Sequence, residues 1–154
     1  MILRFAAVAA VALLLVGCGA FTAPNPTARE MGDLVANLVR HGVTITDQVG
    51  GDAGCPDSSL YGNAVRYDIH TPTEPSDVPL YVLRWKSDAT FSAAKSAFDA
   101  CVASFKQTHA DPPSSTYENV PWRVYGAGWS PALYTLIATA VDESAGASAP
   151  AEPQ

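Results

Sequence analysis

The middle of the chain carries the run Leu80-Tyr81-Val82-Leu83-Arg84-Trp85. Its first four residues are apolar at successive positions, and successive side chains of a strand point to opposite faces of a sheet. A strand that is apolar on both faces is typical of the buried interior of a sheet. We therefore expect this run to form a more central strand than the segments on either side of it.

Three further segments have the pattern of strands. Val65, Tyr67 and Ile69 alternate with polar residues, which predicts a half-buried strand. A short strand is expected at 43–46 and a fourth at 120–125, where Pro121 is tolerated only if its amide position faces away from a partner strand. The glycine-rich segment 50–57 and the segment 71–79, with three prolines, are predicted loops.

Three segments have the spacing of amphipathic helices. The first follows a capping-box pattern at Thr27–Glu30 and ends near Gly42, and its apolar face is Met31, Leu34, Val35, Leu38 and Val39. The second is capped by Asp88 or Thr90, and its apolar stripe is Phe91, Ala94, Phe98, Cys101, Val102 and Phe105. The third covers about 131–146 behind Ser130-Pro131, a pairing typical of a helix start, although its Thr, Ile and Val content also suits a strand.

The predicted order of elements is α-β-β-β-α-β-α. Amphipathic helices and half-buried strands must cover one another, which predicts an α+β fold. We expect a two-layer sandwich with one mainly antiparallel sheet of about four strands and with the helices packed on it.

The N-terminus has the organisation of an export signal. Arg4 precedes an unbroken apolar run from Phe5 to Val16. Twelve helical residues span roughly 18 Å, whereas a hydrocarbon core is about 30 Å thick. The run is therefore too short to cross a membrane stably, and its length is typical of a signal peptide.

The end of this run, Leu15-Val16-Gly17-Cys18, resembles the lipobox of bacterial lipoprotein precursors. The resemblance implies a diacylglycerol on the thiol of Cys18, cleavage between Gly17 and Cys18, and often a further fatty acid such as palmitate on the new amino group. Two or three acyl chains make membrane attachment long-lived, whereas one chain gives only marginal binding. The alternative is an ordinary secretory signal with an incidental cysteine.

The lipobox interpretation divides the chain into four parts. Residues 1–17 are a signal peptide, 18–26 a lipidated tether, 27–146 a single globular α+β domain, and 147–154 a disordered tail. The resemblance implies a lipid-anchored protein on the extracytoplasmic face of the bacterial cell envelope, with the membrane as its partner through the acyl chains.

Composition restricts the other partners. Of 154 residues 16% are charged, and the net charge of −6 becomes −7 when the segment containing Arg4 is removed. An acidic chain of this kind is poorly suited to nucleic acid, which attracts basic surfaces.

Two cysteines remain once Cys18 is lipidated. An even pair in an exported domain predicts a disulfide between Cys55 and Cys101. A free-thiol site or a metal site is the alternative, but neither cysteine has a CxxC pattern or a histidine at metal-ligand spacing.

No recognisable catalytic motif is present. His41, His70 and His109 are far apart in the sequence, and Asp47, Asp52 and Asp57 lack the ligand pattern of an EF-hand. The sequence therefore predicts no catalytic residue, no metal and no cofactor.

Aromatic residues concentrate on the predicted strands. These residues have two interpretations: packing under the helices, or a partly exposed row that faces a peptide, glycan or protein partner. They are Tyr67, Tyr81, Trp85, Trp122 and Tyr125. The expected function is non-enzymatic binding or scaffolding.

The alternative function is a small envelope hydrolase with a dispersed active site. Its candidate residues are His70, Asp68 and Arg84. These side chains would have to lie within hydrogen-bonding distance of one another.

The anchor is tested by Cys18→Ala. Without this thiol the precursor cannot accept diacylglycerol, so we expect an uncleaved or unlipidated chain that incorporates no labelled fatty acid. Metabolic labelling and membrane fractionation measure this directly, and unchanged labelling in the variant would show that Cys18 is not the attachment site.

Overall fold

A computed structural model describes residues 30–146. The helices are α1 (Met31–Arg40), α2 (Asp88–Ala93), α3 (Lys95–Thr108) and α4 (Pro131–Ser144). The strands are β1 (Thr44–Gly50), β2 (Ala64–Thr71), β3 (Glu74–Arg84), β4 (Ser114–Asn119) and β5 (Trp122–Ala127), and a 3₁₀ turn covers Tyr61–Asn63. The predicted signal peptide, the lipidated Cys18, the tether, Thr27 and the tail lie outside the described residues.

The five strands form one sheet in the order β1-β2-β3-β5-β4, and every neighbouring pair is antiparallel. The predicted α+β fold with one antiparallel sheet and packed helices is confirmed. The additional strand is β4, whose sequence Ser-Ser-Thr-Tyr-Glu-Asn has no apolar alternation. It is a strand because it pairs along its whole length with β5. No helix among residues 30–146 is both long and apolar enough to cross a membrane.

Strand β3 occupies the centre of the sheet, as its apolar run predicts. Leu80 and Val82 are fully buried on one face, and Leu83 is fully buried on the other. The strand is longer than expected, because the predicted proline loop contributes residues 74–79 to it. Strand β3 pairs with β5 only from Tyr81 onward. Pro75 and Pro79 therefore precede the part of β3 that has a partner strand on both sides. Proline is tolerated in a sheet at such edge positions.

The helices lie on both faces of the sheet and create two cores. On one face α1 and α4 bury Leu34, Leu38, Ile137 and Val141 against the strands. On the other face α2 and α3 bury an aromatic set, Phe91, Phe98, Phe105, Trp85 and Tyr125. The sheet therefore has little free face in its middle.

The helix ends follow local chemistry, with two shifts from the sequence prediction. Helix α1 begins three residues later than the Thr27 pattern indicates, because Glu30 is its N-cap and the Asp33 carboxylate accepts a hydrogen bond from the Glu30 amide at 2.9 Å. The second predicted helix is capped by Ser87 and breaks at Ala94 into α2 and α3.

The last segment is a helix, not a strand. Ser130 is its N-cap, and the Ser130 hydroxyl accepts from the Leu133 amide at 3.1 Å.

Cys55 and Cys101 form a disulfide, with their Cα atoms 5.4 Å apart. This is the pairing that the cysteine count predicts. Cys101 is buried in the aromatic core, and Cys55 lies in the loop between β1 and β2. The bond therefore ties this loop to α3, and it excludes the free-thiol and metal interpretations of the two residues.

Strands β3 and β5 approach each other closely at Gly126. The Trp129 indole donates a hydrogen bond to the Pro79 carbonyl oxygen at 3.0 Å. A Cβ at position 126 would collide with that carbonyl oxygen and lie 2.6 Å from the indole nitrogen. The position is thus restricted to glycine by space.

Gly126→Ala is expected to destabilise the fold by about 2–3 kcal/mol, since backbone and an indole must move to admit the methyl group. Gly62→Ala is the matched control, because a Cβ there meets nothing within 4 Å. Urea unfolding of the two variants measures the difference in their free energies of unfolding. Equal unfolding midpoints would show that β3 and β5 can move apart at this position without loss of stability.

The disulfide is expected to contribute about 2–4 kcal/mol, chiefly by restricting the unfolded chain. Cys55→Ser and Cys101→Ser should each cost this amount, and the double variant should cost little more, because all three remove one bond. Thermal unfolding measures the effect. If the wild-type protein, unfolded without a reductant, had two reactive thiols, the pairing would be contradicted.

Candidate functional site

A groove of about 480 Å³ lies between α1 and β1. Most of its lining is apolar, and it is supplied by α1, β1 and β2 together with the connections that follow α1 and β2. The lining residues are Val35, Val39, Gly42, Val43, Thr44, Ile45, Gln48, Tyr67 and Pro72. We refer to this set as the α1–β1 groove.

The packing of α1 explains why the groove is open. Leu34 and Leu38 face the core, and the Asn37 amide donates to the Ser144 hydroxyl of α4 at 2.8 Å. These contacts set the rotation of the helix and leave Val39 on its flank, 56% exposed. Val39 belongs to the apolar spacing of the predicted helix, but the expectation that this whole stripe is buried is wrong at this residue.

Strand β1 forms one edge of the sheet and is exposed at six of its seven residues. Its pairing with β2 shifts register between Ile45 and Asp47, so Thr46 is the extra residue of a bulge. From Asp47 to Gly50 the pairing is regular. An edge strand presents backbone N–H and C=O groups on its outer side, and these groups can pair with another chain.

The face of β1 opposite the groove is acidic. The Arg66 guanidinium contacts three carboxylates, those of Asp47 at 3.4 Å, Asp52 at 3.1 Å and Asp68 at 2.8 Å. One positive charge against three negative charges leaves this cluster with a net charge of −2.

The structure brings only two of the three regularly spaced aspartates Asp47, Asp52 and Asp57 together. Asp47 and Asp52 belong to the cluster around Arg66, whereas Asp57 accepts from the Ser59 hydroxyl at 2.7 Å, which lowers the pKa of its carboxyl. Among residues 30–146, no group of three or more His, Cys, Asp or Glu side chains could hold a metal ion.

The aromatic residues predicted to face a ligand are core residues. Tyr67, Trp85, Trp122 and Tyr125 are at most 4% exposed, and half-buried Tyr81 stacks on Tyr125 with ring centroids 4.9 Å apart. The interpretation as an exposed row is therefore wrong, and the interpretation as packing under the helices is confirmed. The reason is that helices cover both faces of the sheet, so alternation along a strand leads from one core to the other. Burial raises the pKa of Tyr67, Tyr81 and Tyr125.

The three histidines have separate partners. His41 pairs with Glu143 at 3.0 Å, His70 pairs with Asp77 at 2.8 Å, and the His109 ring stacks on Phe105. The hydrogen bond from His70 lowers the pKa of Asp77.

The residues of the hydrolase alternative pair elsewhere. Asp68 is held by Arg66, and Arg84 pairs with Glu30 at 3.0 Å, while His70 pairs with Asp77. The structure thus does not assemble His70, Asp68 and Arg84 into one site.

Arg123 is a buried charge that the sequence analysis missed. Its side chain is 1% exposed and donates to Glu118 at 2.9 Å. The guanidinium lies over the rings of Phe91 at 3.8 Å, Trp85 at 5.1 Å and Phe98 at 5.3 Å. These cation–π contacts stabilise the charge within the second core. Arg123 alternates with Trp122 and Val124 along the strand, a pattern that favours exposure of the arginine, and only the covering helices make its side of the strand buried.

A second missed contact joins β4 to α4. The Asp142 carboxylate accepts from the Tyr117 hydroxyl at 2.6 Å and from the Asn119 amide at 2.7 Å. The hydrogen bond to Asp142 raises the pKa of Tyr117 to about 12. This edge of the sheet is thereby fastened to a helix by side chains.

Comparison of the chain with protein-family models, with curated proteins and with solved structures found no match.

Proposed function

We propose that this chain is a lipid-anchored, extracytoplasmic protein of the bacterial cell envelope whose domain binds a partner in the α1–β1 groove and catalyses no reaction. The observation that carries the binding function is Val39, which is 56% exposed beside a largely apolar groove of about 480 Å³. Concave apolar surfaces with a few polar groups are typical of ligand sites.

The anchor rests on the lipobox at residues 15–18. The disulfide between Cys55 and Cys101 supports an extracytoplasmic location, because such bonds persist in oxidising compartments. Attachment through two or three acyl chains would hold the domain beside the membrane and raise its effective concentration toward any partner there.

Site-specific photo-crosslinking in intact cells tests the groove. A photoreactive amino acid replaces Thr44, an exposed residue of the lining. We expect a crosslinked product whose yield falls about tenfold in Val39→Asp, because a charge placed in an apolar contact must be desolvated without a partner.

Tyr61→Asp is the matched control, since Tyr61 is also an exposed large hydrophobic residue but does not line the groove. It should leave the product unchanged. Absence of any product at Thr44, or equal loss in both variants, would overturn the binding function of the groove.

A further inference from the structure

We propose that the groove's partner is an extended polypeptide segment that pairs with β1 as a sixth strand, with apolar side chains in the groove and basic side chains beside Asp47. This inference rests on the proposed binding function and specifies its ligand. The segment belongs to a different chain and is recognised by backbone pairing, apolar contact and charge together.

Backbone pairing is available along the outer side of β1. Among residues 30–146 the strand ends the sheet order, so β2 pairs with one side of it and no described strand pairs with the other, while Ile45 and Gln48 line the groove on one face. Residues Asp47–Gly50 pair regularly with β2 as far as Val65, so this part of β1 has the geometry of a regular strand. Addition of a peptide to such an edge supplies main-chain hydrogen bonds without regard to sequence.

The two faces of β1 define the side chains of the segment. Ile45 and Gln48 line the groove, with Tyr67 of β2 opposite Gln48. Asp47 and Val49 lie on the other face, opposite Asp68 and Arg66. Successive residues of an added strand point to these same two faces in turn. The segment should therefore alternate between apolar and basic residues.

Charge favours another chain over a second copy of this protein. Pairing of two β1 strands about their central residue would place Asp47 opposite Asp47, and like charges directly opposed across strands are destabilising. Asp47 is 58% exposed, and it belongs to a cluster with three carboxylates and one guanidinium. A lysine or arginine facing Asp47 removes this repulsion and adds attraction. The acidic net charge of the whole chain also disfavours association of two copies and favours a basic partner.

The test uses the full chain, purified from membranes in detergent, and an eight-residue peptide in which lysine and valine alternate. The comparison peptide alternates glutamate and valine. We expect the lysine peptide to bind about fivefold more tightly than the glutamate peptide, which corresponds to the upper end of the range for one exposed ion pair. Its advantage should shrink as salt is added, since salt screens exposed charges. Fluorescence anisotropy measures both affinities.

Two N-methylated forms of the lysine peptide isolate the backbone contribution. Methyl groups on the lysine amides block one edge of the extended peptide, and methyl groups on the valine amides block the other edge. Only one edge can pair with β1, so one form should lose binding and the other should retain it. Hydrogen exchange should slow at those amides of 47–50 that point away from β2 when the unmodified peptide is bound.

Asp47→Lys should reverse the preference between the lysine and glutamate peptides. Asp99→Lys is the control, since Asp99 is an exposed residue of α3 that pairs with Lys95 outside the groove. It applies the same charge change and should preserve the preference. Equal affinity for both peptides, or equal binding of both N-methylated forms, would overturn strand addition.

These outcomes are distinct from those that test the groove itself. A Thr44 photoproduct that persists although no peptide binds would retain the binding function and assign another ligand class, such as a glycan or lipid. A crosslinked product that contains two copies of this chain would show that the groove binds a second copy and would overturn the proposal of a segment from a different chain. Absence of any photoproduct would overturn the proposed function and the strand together.

Discussion

The close pairing of β3 with β5 is the constraint on which the rest of the structure depends. Gly126 has no side chain because the Pro79 carbonyl group and the Trp129 indole occupy the space that a Cβ would need. This approach brings Val124 opposite Val82, and both are fully buried in the core below α1 and α4. The adjacent residues of the same strands enter the core below α2 and α3. One strand pair therefore supports two cores.

The two edges of the sheet differ, and this difference underlies the proposed function. Strand β4 is fastened to α4, because Asp142 accepts hydrogen bonds from Tyr117 and Asn119. Strand β1 is exposed along nearly its whole length and borders an apolar groove. Edge strands are usually guarded against pairing by charges and bulges, and β1 has both in Asp47 and the bulge at Thr46. Such guards disfavour self-association and leave room for a partner of complementary charge.

Much of the fold could be predicted from local patterns, but the candidate site could not. The spacing of Leu34 and Leu38 predicts their burial, and the same spacing also predicted burial for Val39, which is exposed. Whether a residue on the flank of a helix is covered depends on the neighbouring elements, and the sequence pattern of the helix alone does not contain that information. Tyr125 and Arg123 show the reverse case, since both are buried only because helices cover both faces of the sheet.

The sequence by itself determined the central strand at 80–83, the helix start at Ser130-Pro131 and the choice of Cys55 and Cys101 as a pair. Each of these depends on local periodicity, on capping or on the small number of available partners. The tertiary structure alone decided that Ser114–Asn119 is a strand, that Arg123 lies among aromatic rings and that a groove opens beside β1. These features arise from contacts between residues far apart in the chain. The energies of these contacts depend on which surfaces meet in the folded chain, and the sequence of a single segment does not determine which surfaces those are.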